Sequence, residues 1–130
     1  MKAIRDTFAE EAYRGAFYFS INLCARYVRI AFERAFKKVT NQKFDMQQAA
    51  AAKDYEPGLL KAGFRVIEIK DDSEIEKGDV IIYQVTKTSP WGHIAVWTGK
   101  IWVSDYRQES KFPDETYHNL VPVYYRYYGV

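Results

Sequence analysis

Cys24, His93 and Asp105 are the residues of this chain whose types and placement could together break an amide bond. Cys24 stands in Ser20-Ile21-Asn22-Leu23-Cys24-Ala25-Arg26-Tyr27-Val28, in the first turn of the strongest helical pattern. Unpaired N–H groups and the positive end of the helix dipole favour a thiolate there, and the same groups could hold an oxyanion. The position equally suits a small buried apolar side chain, the commoner fate of a free cysteine. His93 opens a strand directly after Pro90-Trp91-Gly92, where a side chain can project into a cleft. An imidazole there would serve as base to a thiol and then as acid to a leaving amine. His118 lies in a polar loop and is expected to be a surface residue.

Asp105 is the expected orienting group for the imidazole, and its use depends on register. A three-residue loop, Thr98 to Lys100, pairs Trp97 with Ile101 and sets Asp105 opposite His93. A two-residue loop, Gly99 and Lys100, pairs His93 with Tyr106 and sends Asp105 to the other face. The triad therefore requires the odd loop or a bulge. A solvated carboxylate at a strand end is the alternative.

The elements that must position these groups can be read from periodicity. Ile4, Phe8 and Ala12 recur by four and predict a helix over residues 3–13, interrupted at Gly15. A second helix is predicted over residues 23–38, with a stripe of Cys24, Val28, Ala31, Phe32, Ala35 and Val39. Ser20 or Asn22 would cap it, and Asn41 would help to end it. Asp45 is expected to cap a short Gln- and Ala-rich helix, and Glu56-Pro57-Gly58 to open another that stops at Gly63. From Phe64 the period becomes two. Strands are expected over residues 64–69, 80–85, 93–97, 101–105 and 120–128, with an acidic loop at residues 71–77. Helices first and an antiparallel meander second make an α+β domain, residues 1–130 being one unit.

Length and composition exclude much else. The 130 residues, 48% hydrophobic and 28% charged, describe an ordinary folded chain. One cysteine closes no internal disulfide, and two histidines with one cysteine are too few for a structural zinc site. No metal or organic cofactor is expected. The aromatic share of 17%, with 11 tyrosines, suggests strands and a stacking surface. Residues 1–45 carry nine Lys/Arg against five Asp/Glu, while the remainder carries ten against twelve. The basic face of Arg26, Arg29, Arg34, Lys37 and Lys38 suits an anionic polymer or an acidic inhibitor, though such faces are often only solvated. No RNA-recognition or P-loop signature is present, so no nucleic-acid partner is expected. The N-terminus lacks the apolar stretch of a signal peptide, and no run approaches the ~20 apolar residues of a membrane span. The expectation is a chain made in the cytoplasm without membrane insertion.

Four segments together resemble the NlpC-type and CHAP cell-wall hydrolases, small papain-like amidases. They are Asn22-Leu23-Cys24-Ala25-Arg26-Tyr27-Val28-Arg29, Gly78-Asp79-Val80-Ile81-Ile82, Gly92-His93-Ile94-Ala95-Val96-Trp97-Thr98-Gly99 and Trp102-Val103-Ser104-Asp105. The resemblance spans residues 20 to about 108 and implies a papain-like fold with helices packed on a C-terminal antiparallel sheet. By position it makes Cys24 the nucleophile, His93 the base and Asp105 the orienting group. A carboxylate third member, the small size and the missing signal peptide are similar to amidase effectors delivered by type VI secretion. CHAP phage endolysins are the other comparison. Leu23 stands where NlpC-type enzymes carry Asp, which brings the chain nearer the CHAP-like and effector branches. Tyr18 and Asn22 are candidate oxyanion donors, and Trp91 and Gln108 candidate groove residues. The resemblance implies a peptidoglycan substrate, an immunity protein as inhibitor, and delivery to the periplasm or wall of a target bacterium. A papain-like deamidase or acyltransferase acting on proteins, and a noncatalytic wall-binding module, share these features.

Overall fold

The spacing by four of Ile4, Phe8 and Ala12 builds helix α1 (Lys2–Gly15), and all three side chains are buried. This computed structural model describes residues 1–17, 23–49, 51–86 and 90–129. In it α1 packs against α2 (Cys24–Thr40), whose buried stripe is Val28, Ala31, Phe32 and Ala35. Val39, expected to extend that stripe, is exposed in the last turn. Asn41 ends α2 in the left-handed conformation (φ 58°), its N–H bonding the Lys37 carbonyl. Helix α3 (Glu56–Ala62) carries Pro57 in its first turn and stops at Gly63, where φ is 113°.

The Gln- and Ala-rich helix expected after Asp45 is not formed. Residues 43–49 are irregular, and only a 3₁₀ turn follows, at Ala52–Asp54. Glu33 Oε2 accepts the Met46 N–H at 2.8 Å, and Met46, Ala51 and Ala52 are buried. A side chain from α2 thus satisfies the Met46 donor, and Met46, Ala51 and Ala52 serve as packing surface in irregular backbone.

Five antiparallel strands form one sheet in the order β1-β5-β2-β3-β4. They are β1 (Phe64–Ile67), β2 (Val80–Tyr83), β3 (His93–Trp97), β4 (Trp102–Val103) and β5 (Val123–Tyr127). The expected simple meander holds only for β2, β3 and β4. The last strand inserts between β1 and β2, giving β2, whose four residues are all buried, a partner on each side. Strand β1 is left at the edge with Val66 exposed.

Alternation divides the sheet into two faces. Phe64, Val80, Ile82, Ile94, Val96, Val103, Tyr125 and Tyr127 meet the helices in one core. Phe32 sits at its centre, with ring centroids 5.5 Å from Phe8 and 5.3 Å from both Phe64 and Tyr127. On the opposite face Ile81, Tyr83, Ala95, Trp102 and Tyr124 are covered by the loop that carries Phe112, Tyr117 and Leu120. Tyr55, Tyr83, Tyr117, Tyr124, Tyr125 and Tyr127 are buried, so much of the tyrosine content builds core rather than the expected stacking surface.

Asp79 of the Gly78-Asp79 segment is a structural anchor. Its fully buried carboxylate accepts Arg126 Nε at 2.8 Å, Arg126 Nη2 at 2.7 Å and the Glu76 N–H at 2.8 Å, tying the start of β2 to β5. Removing Asp79 leaves the largely buried Arg126 with only the Glu76 carboxylate, at 2.9 Å, to balance it. Asp79→Ala is therefore expected to cost about 3 kcal/mol, read from urea unfolding midpoints. A loss below about 1 kcal/mol would show that the pair is solvent-screened.

Candidate active site

Among the described residues no side chain caps the first turn of α2, and Ser20 and Asn22, the expected caps, lie outside them. Instead the Leu23 N–H, just before the helix, donates to Asp105 Oδ2 at 3.1 Å. A carboxylate from the sheet end therefore fixes where the helix begins. Cys24 follows immediately, partly buried, its sulfur faced by the backbone N–H groups of Ile94, Ala25 and Cys24 itself. The Ile94 amide belongs to the residue after His93, so the thiol lies beside the start of β3.

Gly92 makes that approach achievable. Its φ is +72°, and a Cβ there would lie 2.5 Å from the Tyr83 carbonyl oxygen and 2.8 Å from Lys53 Cβ. Only glycine fits this bend, and it delivers His93 to the first position of β3 opposite Tyr83. The imidazole is buried between Tyr106 and Tyr117, with ring centroids 6.5 and 5.9 Å away.

The β3–β4 register is the even one. Val96 pairs with Val103, Trp97 with Trp102, and the Thr98 N–H bonds the Ile101 carbonyl around Gly99 and Lys100. That register alone would aim Asp105 away from His93. The chain corrects it by reversing at residues 104–106: the Ser104 N–H bonds the Tyr106 carbonyl at 2.9 Å, and the Gln108 N–H bonds the Trp102 carbonyl at 2.9 Å. The reversed segment pairs with the end of α1's connection, the Phe17 N–H donating to Asp105 O and the Arg107 N–H to Phe17 O. The chain thus takes the even register and adds an irregularity after β4, which sets the Asp105 carboxylate on the Leu23 N–H.

One consequence is that the ring's Nε2 meets Gln108. Gln108 Oε1 lies 2.7 Å from His93 Nε2, while Gln108 Nε2 donates to the Ser110 carbonyl at 3.0 Å. Because the carbonyl of Ser110 can only accept, the amide must present its oxygen to the ring. The imidazole proton then sits on Nε2, leaving Nδ1 as the acceptor. Gln108, expected to line an open groove, is instead buried with both ends of its amide engaged. Asp105, expected to orient the ring, spends Oδ2 on Leu23 and takes the Ser104 hydroxyl on Oδ1 at 3.2 Å. Its charge still reaches both His93 and Cys24.

Trp91 is 62% exposed and borders a cleft of about 310 Å³ with Leu23, Cys24, Ala25, Arg26 and Ala52. Tyr18 and Asn22 lie outside the described residues. Among the described residues no cluster of His, Cys, Asp and Glu could hold a metal ion, and no helix is long and apolar enough to cross a membrane. The partners that sequence reasoning missed are backbone groups, the Leu23 and Ile94 amides, which no residue type announces.

Comparison with solved structures finds relatives of the whole chain. The type VI native effector–immunity complex Tae3–Tai3 from Ralstonia pickettii contains a chain 32% identical to this one. The match covers 95% of this chain and 98% of that one, with a TM-score of 0.81. The chain belongs to the Tae3 effector family. The selenomethionine form of the same complex matches at 34% identity over 93% of this chain and 98% of that one, with a TM-score of 0.76. No protein-family model matches the chain, and no curated protein matches it significantly. With Tae3 it shares a papain-like α+β fold, helices packed on an antiparallel sheet.

Burial sets the proton affinities at this site. It pushes the Cys24 thiol above its ordinary value of 9.0, outweighing the amides that favour thiolate, and the Asp105 charge adds to the rise. The lowered thiol pKa expected from the helix start is thus reversed. Burial likewise pulls His93 below its ordinary 6.5, against the Gln108 bond and the Asp105 charge. The resting pair is a neutral thiol and a neutral imidazole. An unfolded His93 binds its proton first as pH falls, so its contribution to stability is present above 6.5 and lost below. An unfolded Cys24 loses its proton first as pH rises, so stability declines above 9.0. Alkylation of Cys24 should therefore inflect above pH 9.0 and the His93 ring proton resonances below pH 6.5. Gln108→Glu, placing a carboxylate on Nε2, should move the imidazole inflection upward. An unmoved inflection would mean that Gln108 does not hold the ring.

Proposed function

We propose that this chain is a type VI effector that hydrolyses amide bonds in peptidoglycan stem peptides, with residues 1–130 as one catalytic unit. The observation that carries the proposal is the meeting of Cys24, at the first turn of α2, with the start of β3, where the Gln108 amide presents the His93 ring with Nδ1 as acceptor. Membership of the Tae3 family supports the effector reading.

Each group then has one task. His93 Nδ1 takes the thiol proton as Cys24 Sγ attacks the amide carbon, so proton transfer and attack proceed together from a neutral pair. The tetrahedral oxyanion is held by backbone N–H groups around Cys24. The imidazolium returns its proton to the amide nitrogen, the C–N bond breaks, and an amine leaves a thioester on Cys24. Water attacks the thioester with its proton passing to Nδ1, releasing the acid and restoring the thiol. Gln108 keeps the ring in the useful tautomer, and Asp105 steadies the imidazolium by charge while fixing the helix start. Trp91 offers an exposed face for stacking on substrate.

The Ralstonia pickettii effector was solved with its immunity protein. We assign this chain a matching immunity partner that occludes the Cys24 cleft, and the target cell's periplasm as its place of action. A noncatalytic module would keep His93 remote from Cys24, and the Ile94 amide at the sulfur speaks against it. A deamidase or acyltransferase acting on proteins would use the same groups with another substrate or acceptor.

Purified sacculi distinguish these readings. Wild-type protein should release soluble muropeptides and folded Cys24→Ala none, with product masses naming the bond cut. Release by neither would end the wall-hydrolase reading. Gln108→Ala should lower kcat by about 10- to 100-fold with little change in KM, since general-base assistance is worth about 10²–10⁴ and the ring itself remains. A wild-type kcat in that variant would remove Gln108 from the machinery.

A further inference from the structure

The Cys24 cleft does not end at the nucleophile. Leu23 and Arg26, which wall it, also wall a second pocket of about 310 Å³ between α1 and α2. The far side of this pocket is formed by Gly15, Tyr27, Ile30 and Arg34. Arg26, Ile30 and Arg34 are four apart and share one face of α2. The pocket is therefore a largely polar strip, with Ile30 between the Arg26 and Arg34 guanidinium groups along one wall.

Among the described residues its charge is not spent. Neither Arg26 nor Arg34 takes part in an ion pair among the described residues, and both are exposed. The nearest acid in the wall is buried Glu11, which is already engaged by Lys38 and by Arg14 at 3.4 Å. Arg29 is likewise matched, to Glu33 at 3.2 Å. Among the described residues Arg26 and Arg34 are thus surplus cations, Arg26 beside Cys24 and Arg34 two turns further along the helix.

We propose, resting on the amidase reading above, that this pocket is a substrate subsite and that Arg26 and Arg34 take a free carboxylate of the stem peptide. Planar guanidinium groups are suited to such an acceptor. The distances fit an extended peptide. Arg26 and Arg34 lie about 3 and 15 Å along the helix axis from Cys24 at 1.5 Å per residue. At about 3.3 Å per extended residue, a carboxylate between them lies roughly one to four residues from the cleaved bond. The enzyme should then prefer stem peptides whose acidic groups are free over those in which they are amidated.

The test is a matched pair of soluble muropeptides differing only in carboxylate against carboxamide, each assayed with wild type, Arg26→Gln/Arg34→Gln and Arg34→Lys. Wild type should favour the free acid by about two- to fivefold in kcat/KM, the value of one charge-assisted contact at an exposed site. The double glutamine variant should bring that ratio close to one, mainly by loss on the free acid, and Arg34→Lys should retain part of it. Equal cleavage of both peptides by wild type would overturn the subsite while leaving the amidase standing, and would return the arginines to partner binding. A preference that survives the double variant would overturn it as well. No cleavage of either peptide by folded wild type would end the amidase reading and the subsite with it.

Discussion

Asp105 Oδ2 accepts the Leu23 N–H at 3.1 Å across 82 residues of sequence, and that bond fixes where α2 begins. Among the described residues no side chain caps the helix, and its Leu23 N–H, one of the orphan donors, finds its acceptor on a group from the sheet. Asp105 can reach Leu23 only because β4 stops after Val103 and the chain reverses at residues 104–106. The same reversal brings Gln108 back beneath His93, and its backbone is held in turn by Phe17, just after α1. Cys24, His93 and Gln108 therefore share one support. A change that loosened the reversal would disturb all three together.

The site's electrostatics follow from the same geometry. Helix-start amides favour thiolate, but a sulfur set against β3 loses more solvent than those amides replace. Asp105 acts in two directions at once, opposing a thiolate at Cys24 and favouring an imidazolium at His93. A charge that steadies the imidazolium is useful during attack, when the proton has moved. The resting enzyme remains neutral, which keeps a buried thiol unreactive towards adventitious oxidants and electrophiles.

Local patterns made much of this legible before any coordinates. The period of four placed α1 and α2, and the glycines and prolines placed the ends of α3 and the start of β3. Cys24 at a helix start and His93 at a strand start were readable for that reason. What failed was non-local. Insertion of β5 between β1 and β2 leaves no mark in either strand's composition, since Phe64 and Tyr127 meet only through the fold. The segment after Asp45 has helix-forming residues, yet tertiary packing buries Met46, Ala51 and Ala52 in irregular backbone. Gln108 looked like a groove residue because an amide three positions past Asp105 gives no sign of turning inward. The direction of the thiol's shift was misjudged because burial is a tertiary quantity.

The central claim is that Cys24 carries the substrate's acyl group during turnover, and acid-quenched intact-mass analysis of the enzyme mixed with a soluble muropeptide tests it most directly. The account predicts an acyl adduct that maps to the peptide containing Cys24 and is missing from Cys24→Ala. Turnover of the muropeptide by Cys24→Ala at the wild-type rate, or an adduct on a different residue, would contradict it.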